Sequence, residues 1–264
     1  MYPFEYHRPD SVDEALEFYR AADEGLWLAG GMTLLPAMKL RLSAPSELID
    51  LAGLDELRGI EVANGCIEIG AMTIHDAVAR SELVRERIPA LCALANGIGD
   101  SQVRNRGTIG GSVSNSDPAA DYPAAVLALG ATIKTSARTI AADDFFTGMF
   151  ETSLEQGELI QSVRFPIPKS ACYMKFPNPA SRYAIVGVMV ARFDDGVRVA
   201  VTGAGSFAFR VAEMENALAA DFDSRGIADI RVASQNLNED MHASAEYRSH
   251  LVTVMAQRAV DAAI

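Results

Sequence analysis

Short apolar segments and helical repeats alternate in the first 53 residues of the chain. The segment FEYHRP near the start predicts a short strand, and WLA (27–29) and LID (48–50) predict two more. Ser11 and Glu14 form a capping box in front of the first helical repeat, and TLLPAMKLRL (33–42) provides the second repeat. A β-α-β-α-β order in so short a segment predicts a small α/β lobe.

In the middle of the chain, apolar and polar residues alternate as they do in β-strands. Asn64-Gly65 joins two alternating segments, which is a strong signal for a hairpin. Further on, ATIKTSARTIAADDFF predicts a strand or hairpin, and ELIQSVRFPIP predicts a strand that ends at the prolines. Three helices are expected between these strands: one capped by Thr73 with Asp76, one buried from 85 to 98, and one from 121 to 131.

The last part of the chain predicts an antiparallel sheet with helices on one side. YMKFPNPASRY contains a Pro-rich loop, and two strand patterns follow it around an Asp195-Gly196 turn. Helical repeats occur in VAEMENAL, in RGIADIRVASQ and from Tyr247 to Ala263. We therefore expect three units, which cover residues 1–55, 56–168 and 169–264.

The segment GTIGGSVSNSDPAADYP (107–123) has the chemistry of a ligand loop. Gly107, Gly110 and Gly111 allow positive φ and a close approach of the backbone to another molecule. The short polar side chains among them suit sugar hydroxyls and phosphate oxygens. Asp121 with Tyr122-Pro123 predicts the N-cap and first turn of the next helix, and free N–H groups at such a start can receive an anion. A polar surface loop without a ligand is the alternative.

A second glycine pair lies earlier in the chain and favours the ligand. Gly30 and Gly31 turn the chain between the strand that ends at Ala29 and the helix that Thr33 can cap. Each of the two glycine segments combines a glycine pair, a polar residue and an apolar segment. Two such units in one chain suggest two backbone clamps that converge on one phosphate-rich ligand.

Both glycine segments resemble the two FAD-binding motifs of a known family. AGGMTLLPAMKLRL (29–42) and TIGGSVSNSDPAADYPAAVLALGA (108–131) are similar to those of the flavin-binding, or medium, subunit of molybdenum hydroxylases of the carbon monoxide dehydrogenase and xanthine dehydrogenase type. FEYHRPDSVDEAL, VRVAVTGAG and SAEYRSHLVTVMAQRAV extend the resemblance over nearly the whole chain. It implies an α+β fold, with a two-lobed FAD-binding domain of the vanillyl-alcohol-oxidase-like type and a C-terminal α+β domain with an antiparallel sheet and helices.

The resemblance also assigns cofactor contacts to individual residues. The first motif implies contacts to the FAD diphosphate, mainly by backbone amides, at Ala29, Gly30, Gly31, Met32, Thr33, Leu34 and Leu35. The second motif places Thr108, Gly110, Gly111 and Ser112 near the diphosphate and ribitol, and gives Asp121 a contact to the cofactor. Leu159 or Ile160 is expected at the adenine end, and Tyr183 beside the isoalloxazine. No catalytic residue and no metal ligand is expected in this chain.

The function that the resemblance implies is electron transfer within a complex. Electrons would leave the substrate at a molybdopterin centre on a large subunit, pass through iron–sulfur clusters on a small subunit, and reach the FAD of this chain before the final acceptor. A dimer of heterotrimers is expected. Two other functions remain open: a self-sufficient flavin oxidoreductase with its own substrate, and a non-catalytic nucleotide-binding or scaffold subunit.

Composition narrows the function classes further. A net charge of −12, with 23 scattered Lys and Arg residues, argues against nucleic acid or an anionic membrane surface as a partner. Cys66, Cys92 and Cys172 are isolated, so we expect buried free thiols and no metal or iron–sulfur site. The first residues lack a signal-peptide pattern and no apolar run approaches the roughly 18 residues that span a bilayer, so we expect a cytoplasmic protein without a membrane span.

Other motifs have ordinary structural interpretations. GAGSFA (203–208) loosely matches the dinucleotide-binding pattern, but no second βαβ unit follows it, so we expect a tight turn at the end of a strand. The sequence contains no P-loop and no Gly-x-Ser-x-Gly elbow. His75 is expected to have a structural role. Trp27 is expected in the core, and a wall of the flavin site is the alternative.

Overall fold

The N-terminal part of the chain folds into the predicted small α/β unit. A computed structural model describes residues 1–263. The unit contains β1 (Glu5–His7), α1 (Val12–Ala21), β2 (Gly25–Leu28), α2 (Leu34–Lys39) and β3 (Glu47–Asp50). Its strands are parallel, in the order β1-β3-β2. Ser11 caps α1 as predicted, because its hydroxyl accepts a hydrogen bond from the N–H of Glu14 at 3.2 Å.

The middle of the chain contributes an antiparallel sheet of five strands. Its strands, and a separate two-stranded pair, are β4 (Ile60–Ala63), β5 (Cys66–Gly70), β6 (Thr132–Thr135), β7 (Thr139–Ala141), β8 (Phe146–Gly148), β9 (Glu151–Thr152) and β10 (Ile160–Pro166). The order in the larger sheet is β4-β5-β10-β6-β7, and β8 pairs with β9. Asn64 and Gly65 both have positive φ, at 52° and 72°, which confirms the predicted hairpin turn.

Six helices connect β5 to β6, and their apolar side chains share one core with the larger sheet. They are α3 (His75–Arg80), α4 (Glu82–Arg87), α5 (Pro89–Asn96), α6 (Ser101–Arg104), α7 (Ile109–Asn115) and α8 (Tyr122–Ala128). The prediction of one buried helix over 85–98 is wrong, because Pro89 begins a new helix and disfavours a helical conformation at Ile88. The predicted cap at Thr73 is also wrong, because its hydroxyl is hydrogen-bonded to the main chain of Gly59.

The C-terminal part is an antiparallel sheet with helices, as predicted. It contains β11 (Ser170–Pro177), β12 (Ala184–Arg192), β13 (Val197–Thr202), β14 (Phe209–Arg210), α9 (Ala212–Ala220) and α10 (Ala245–Ala262). Valines of β12 and β13 form a second core with apolar residues of α9 and α10. Strand β11 covers part of the segment that the sequence analysis assigned to a Pro-rich loop, and only residues 178–183 form that loop.

The helix predicted in RGIADIRVASQ is wrong. This segment forms only two short 3₁₀ turns, Ser224–Ile227 and Ser234–Asn236. Hydroxyls of α10 explain the difference: Thr253 donates to the carbonyl of Ile230 and Ser249 to the carbonyl of Val232, each at 2.6 Å. These side chains take carbonyl groups that an α-helix would use for its own hydrogen bonds.

The strands of the parallel sheet lie within residues 5–50, those of the middle sheets within 60–166, and those of the C-terminal sheet within 170–210. The unit bounds at 55/56 and 168/169 remain a prediction. The three cysteines are free, as predicted, but only Cys92 is buried, whereas Cys66 and Cys172 are half-buried. None of the helices in residues 1–263 combines the length and the apolar character that crossing a membrane requires.

Candidate functional site

One cavity of about 440 Å³ is lined by residues from all three parts of the chain. Its lining includes residues of segments 26–34, 107–115, 158–160 and 181–183. The volume falls within the roughly 300–1,000 Å³ that is typical of sites for small molecules and cofactors. The cavity is therefore the candidate site, and both predicted glycine segments reach it.

The first glycine turn (residues 29–33) follows β2 and enters the cavity wall. Gly31 has a φ of 75°, a left-handed conformation that favours glycine. A Cβ atom on Gly30 would lie only 2.1 Å from the carbonyl oxygen of Arg106. Gly30 thus lets the first turn touch the chain just before the second glycine segment, and the two segments converge on one cavity.

The first turn offers several main-chain donors to this cavity. Within residues 1–263, the N–H groups of Gly30, Gly31, Met32 and Thr33 donate no hydrogen bond to a protein oxygen. Main-chain donors need a partner from protein, water or ligand, and successive N–H groups in a turn form an anion-binding concavity. The first turn is therefore suited to anionic oxygen atoms such as those of a diphosphate.

The second glycine segment forms a helix rather than a loop. Helix α7 begins after Thr108, whose hydroxyl accepts a hydrogen bond from the N–H of Gly111 at 3.1 Å. Gly107, Gly110 and Gly111 do not have positive φ, so that prediction is wrong. Crowding explains the first two glycines: a Cβ on Gly110 would lie 2.6 Å from that of Ala71, and one on Gly107 would approach the ring of His75.

The N–H groups at the start of α7 already have protein partners. Ile109 donates to the carbonyl of Thr73, Gly110 to that of Ala71, and Ser112 to that of Thr108, at 2.9–3.1 Å. With Gly111 bonded to the Thr108 hydroxyl, residues 109–112 leave no free amide for an anion in the described part of the chain. The segment instead contributes hydroxyl groups and the absence of a side chain at Gly111, whose Cβ position lies 3.4 Å from the Cβ of Ala29.

Asp121 is a buried carboxylate in the cavity wall, with 5% of its surface exposed. It is the N-cap residue of α8, as predicted, but its side chain makes no capping bond and instead accepts hydrogen bonds from the Tyr173 hydroxyl at 2.5 Å and from Nζ of Lys175 at 3.1 Å. Burial raises the pKa of Asp121, and Lys175 and Tyr173 oppose that rise. Sequence reasoning missed both partners. Their spacing of two residues, which places them on one face of a strand, was the available signal.

His75 lies in the cavity lining as well as in the core. Its Nδ1 atom and the hydroxyl of Tyr122 are buried without a hydrogen-bond partner in residues 1–263, and the two ring centroids are 5.4 Å apart. Burial, and less strongly the guanidinium of Arg104, lowers the pKa of His75 to about 4. The imidazole is therefore neutral near pH 7. Its burial agrees with the structural role that the sequence suggested, and the ring also lines the cavity.

An apolar part of the lining contains Trp27, Leu159 and Ile160. Leu159 and Ile160 are buried, and Trp27 stacks on Tyr19 with a centroid distance of 4.5 Å. Trp27 packs against a core cluster and also lines the cavity, and its role as a wall of a flavin site stays a prediction. Apolar and aromatic surfaces of this kind suit a planar ring.

Most of the predicted contact residues line this one cavity. They are Ala29, Gly30, Gly31, Met32, Thr33, Leu34, Thr108, Gly110, Gly111, Ser112, Asp121, Ile160 and Tyr183. Leu35 does not line the cavity, which corrects the prediction for this residue. Its side chain packs against the core cluster that contains Leu28 and Met38. Sequence reasoning missed further lining residues in segments without a motif, among them Val103 of α6 and Arg182 of the loop 178–183. The roles of all these residues toward a cofactor remain a prediction.

Two known families together match nearly the whole chain. A family described as the FAD binding domain in molybdopterin dehydrogenase matches residues 2–168. A second family, the CO dehydrogenase flavoprotein C-terminal domain, matches residues 171–263.

Individual proteins match over nearly their full length. The glyceraldehyde dehydrogenase medium chain of Sulfolobus acidocaldarius is 35% identical in an alignment of 277 positions that covers 98% of each chain. The carbon monoxide dehydrogenase medium chain of Hydrogenophaga pseudoflava is also 35% identical, over 98% of this chain and 96% of the relative. A solved structure of reconstituted CO dehydrogenase from Oligotropha carboxidovorans superposes with a TM-score of 0.91 at 30% identity, covering 100% of this chain and 99% of that one.

Proposed function

The chain belongs to the FAD-binding subunits of the molybdenum hydroxylase family, and from this membership we propose that it transfers electrons within a larger complex. Its α+β fold and its cofactor, FAD, are those predicted from the sequence. In the proposed function, electrons come from iron–sulfur clusters of a partner subunit and leave to an external acceptor. FAD supplies the redox chemistry through its isoalloxazine ring, and the protein binds and orients it.

The first glycine turn is the main structural support for FAD binding in this proposal. Its N–H groups at Gly30, Gly31, Met32 and Thr33 have no protein partner and lie beside the cavity, which fits a diphosphate. We place the FAD diphosphate against this turn. The second segment then contributes the hydroxyl of Ser112 and the absence of a side chain at Gly111, rather than main-chain amides.

The remaining lining supports one orientation of the cofactor. We place the adenine end beside the buried Leu159 and Ile160, where an apolar surface is available for a planar ring. Tyr183 would then contact the isoalloxazine end. In this arrangement Asp121 supports the wall through Tyr173 and Lys175 more than it binds FAD directly.

We further propose two partner chains. The word medium in the names of the relatives implies smaller and larger chains in those complexes. For this protein we propose a small subunit with iron–sulfur clusters, a large subunit with molybdopterin, and a dimer of such heterotrimers.

Purification of the complex from its own host, through a tag on this chain, tests the proposal. We expect two co-purifying chains, molybdenum and iron in the complex, and FAD on this chain. Recovery of the FAD-loaded chain alone, with steady turnover of a small substrate, would favour a self-sufficient flavin oxidoreductase. A chain without the visible absorbance of a flavin would favour a nucleotide-binding or scaffold subunit.

A further inference from the structure

The loop of residues 178–183 separates two cavities. The larger is the cofactor cavity, and the smaller, of about 210 Å³, is lined by residues that include Asn178 and Arg248. Ser181 and Tyr183 line both, and 47% of the surface of Tyr183 is exposed. Because open space lies on both sides of the loop, packing alone does not fix the position of the Tyr183 ring.

Hydrogen bonds within the loop define its shape. The side chain of Asn178 accepts hydrogen bonds from the N–H groups of Ala180 and Ser181, at 2.9 Å and 3.1 Å. Its main chain donates to the carbonyl of Tyr183 and accepts from the N–H of Arg182. These bonds close the loop on itself, but they do not attach it to the wall of the cofactor cavity.

Lys175 provides an attachment to the cavity wall. Its ammonium group donates to the carbonyl of Arg182 at 3.1 Å, to the carbonyl of Gly97 at 2.8 Å and to the carboxylate of Asp121 at 3.1 Å. Only 11% of the Lys175 side chain is exposed. The three donors of a lysine are thus shared among the loop, the end of α5 and the cavity wall.

Two weaker or more distant contacts complete the attachment. The guanidinium of Arg182 donates to the carbonyl of Gly99 at 3.3 Å, and the N–H of Ala184 donates to the carbonyl of Ala119 at 3.2 Å. The bond from Lys175 is charge-assisted, shorter than the bond from the Arg182 guanidinium, and made by a largely buried donor to the residue next to Tyr183, so we take it as the main attachment of this end of the loop to the cavity wall.

We propose that Lys175 is a positioning residue, which holds Tyr183 at the rim of the larger cavity and thereby slows the release of FAD. This inference rests on the proposed binding of FAD in that cavity. Lys175 acts through the loop and need not touch the cofactor.

A double-mutant cycle on the full chain loaded with FAD tests this role. Lys175→Met should raise the dissociation rate of FAD by about tenfold, which is the loss expected for a hydrogen bond to a charged group. Tyr183→Ala should raise it similarly. In the Tyr183→Ala background, Lys175→Met should add little, because both changes remove the same restraint. Lys169→Met, at the exposed pair with Asp194 just before the same strand, should leave the rate unchanged.

Each outcome of the cycle decides the inference. If Lys175→Met does not fold because Asp121 is left unpaired, the double substitution Asp121→Asn with Lys175→Met removes both charges and takes its place in the cycle. Equal acceleration of FAD release with and without Tyr183 would show a merely structural lysine and overturn the inference, as would an unchanged rate in Tyr183→Ala. A wild-type chain that binds no FAD would instead overturn the proposed function, and this inference with it.

Discussion

Glycines of the two turns serve different physical purposes. An added Cβ on Gly30 would lie 2.1 Å from the carbonyl oxygen of Arg106, and one on Gly110 would lie 2.6 Å from the Cβ of Ala71. Any side chain at either position therefore disturbs the fold. At Gly111, a Cβ would meet the Thr108 hydroxyl at 3.0 Å and the Cβ of Ala29 at 3.4 Å. A small adjustment accommodates that atom. A substitution at Gly111 is therefore expected to affect the space proposed for the ligand more than the stability of the fold.

Substitution Gly111→Val is expected to abolish retention of FAD. The branched side chain would enter the space between the two glycine segments, which we assign to the cofactor. Flavin absorbance per mole of purified protein measures the effect, and circular dichroism reports whether the chain remains folded. Gly111→Ala adds only the Cβ and should keep part of the flavin. A folded Gly111→Val protein with full flavin content would remove this cavity as the FAD site.

Protonation of His75 should destabilise the protein. Its pKa falls from 6.5 to about 4 on folding, because burial and Arg104 disfavour the charged ring. Between about pH 6.5 and 4 the unfolded chain therefore binds more protons than the folded chain. The stability contributed by the neutral ring is fully present above about pH 6.5 and is lost as the pH falls toward about 4. The total loss in the free energy of unfolding is roughly 3 kcal/mol.

The matched variant His75→Gln isolates this contribution. Urea unfolding of the flavin-free chain at several pH values between about 7 and 4 gives the free energy of unfolding of each protein. The difference between wild type and His75→Gln should change with pH in this window, and His250→Gln, at an exposed residue, should follow the wild type. Parallel pH profiles for wild type and His75→Gln would show that His75 titrates normally.

At the scale of elements, the contact between the first glycine turn and the chain before α7 sets the geometry of the site. The carbonyl of Arg106 lies where a side chain of residue 30 would begin. The turn and the helix start are thus held together by main-chain contact, with no side chain between them.

Gly30→Ala tests this contact. The added methyl group would overlap the main chain of residues 106–107 and should lower the free energy of unfolding by about 1–3 kcal/mol, as overpacking does. Chemical denaturation measures the change. Gly226→Ala is the control, because no atom lies within 4 Å of its Cβ position, and it should shift stability by less than about 0.5 kcal/mol. Equal stability of Gly30→Ala and wild type would contradict the close approach.

Elements with local signals were predictable from the sequence, and elements with distant partners were not. The Asn64-Gly65 hairpin and the Ser11 cap depend on residues within a few positions, and the structure has both. The segment around Ile230 has a helical repeat, but hydroxyls of α10, about 20 residues away, bind its carbonyls. The sequence predicts a loop where α7 forms, because the glycines there suggest positive φ. Crowding by Ala71 at Gly110 and by His75 at Gly107, just before the helix, is what requires these two glycines.

At the scale of the whole molecule, three sheets meet at one cavity. The two glycine segments could be assigned to it from the sequence, because each carries a motif. The support from the C-terminal sheet could not, because Lys175 reaches Asp121 across 54 residues of sequence and no motif marks the lysine. A cofactor at this junction would contact all three parts of the chain, so we expect its binding to stabilise them as one body.

A crystal structure of the chain with FAD bound tests whether the first glycine turn holds the diphosphate. We expect the diphosphate oxygens within hydrogen-bonding distance of the N–H groups of Gly31, Met32 or Thr33, in the cavity that also contains Gly111. The same map should show the isoalloxazine beside Tyr183. FAD bound outside this cavity, or a diphosphate held away from the first glycine turn, would contradict the account.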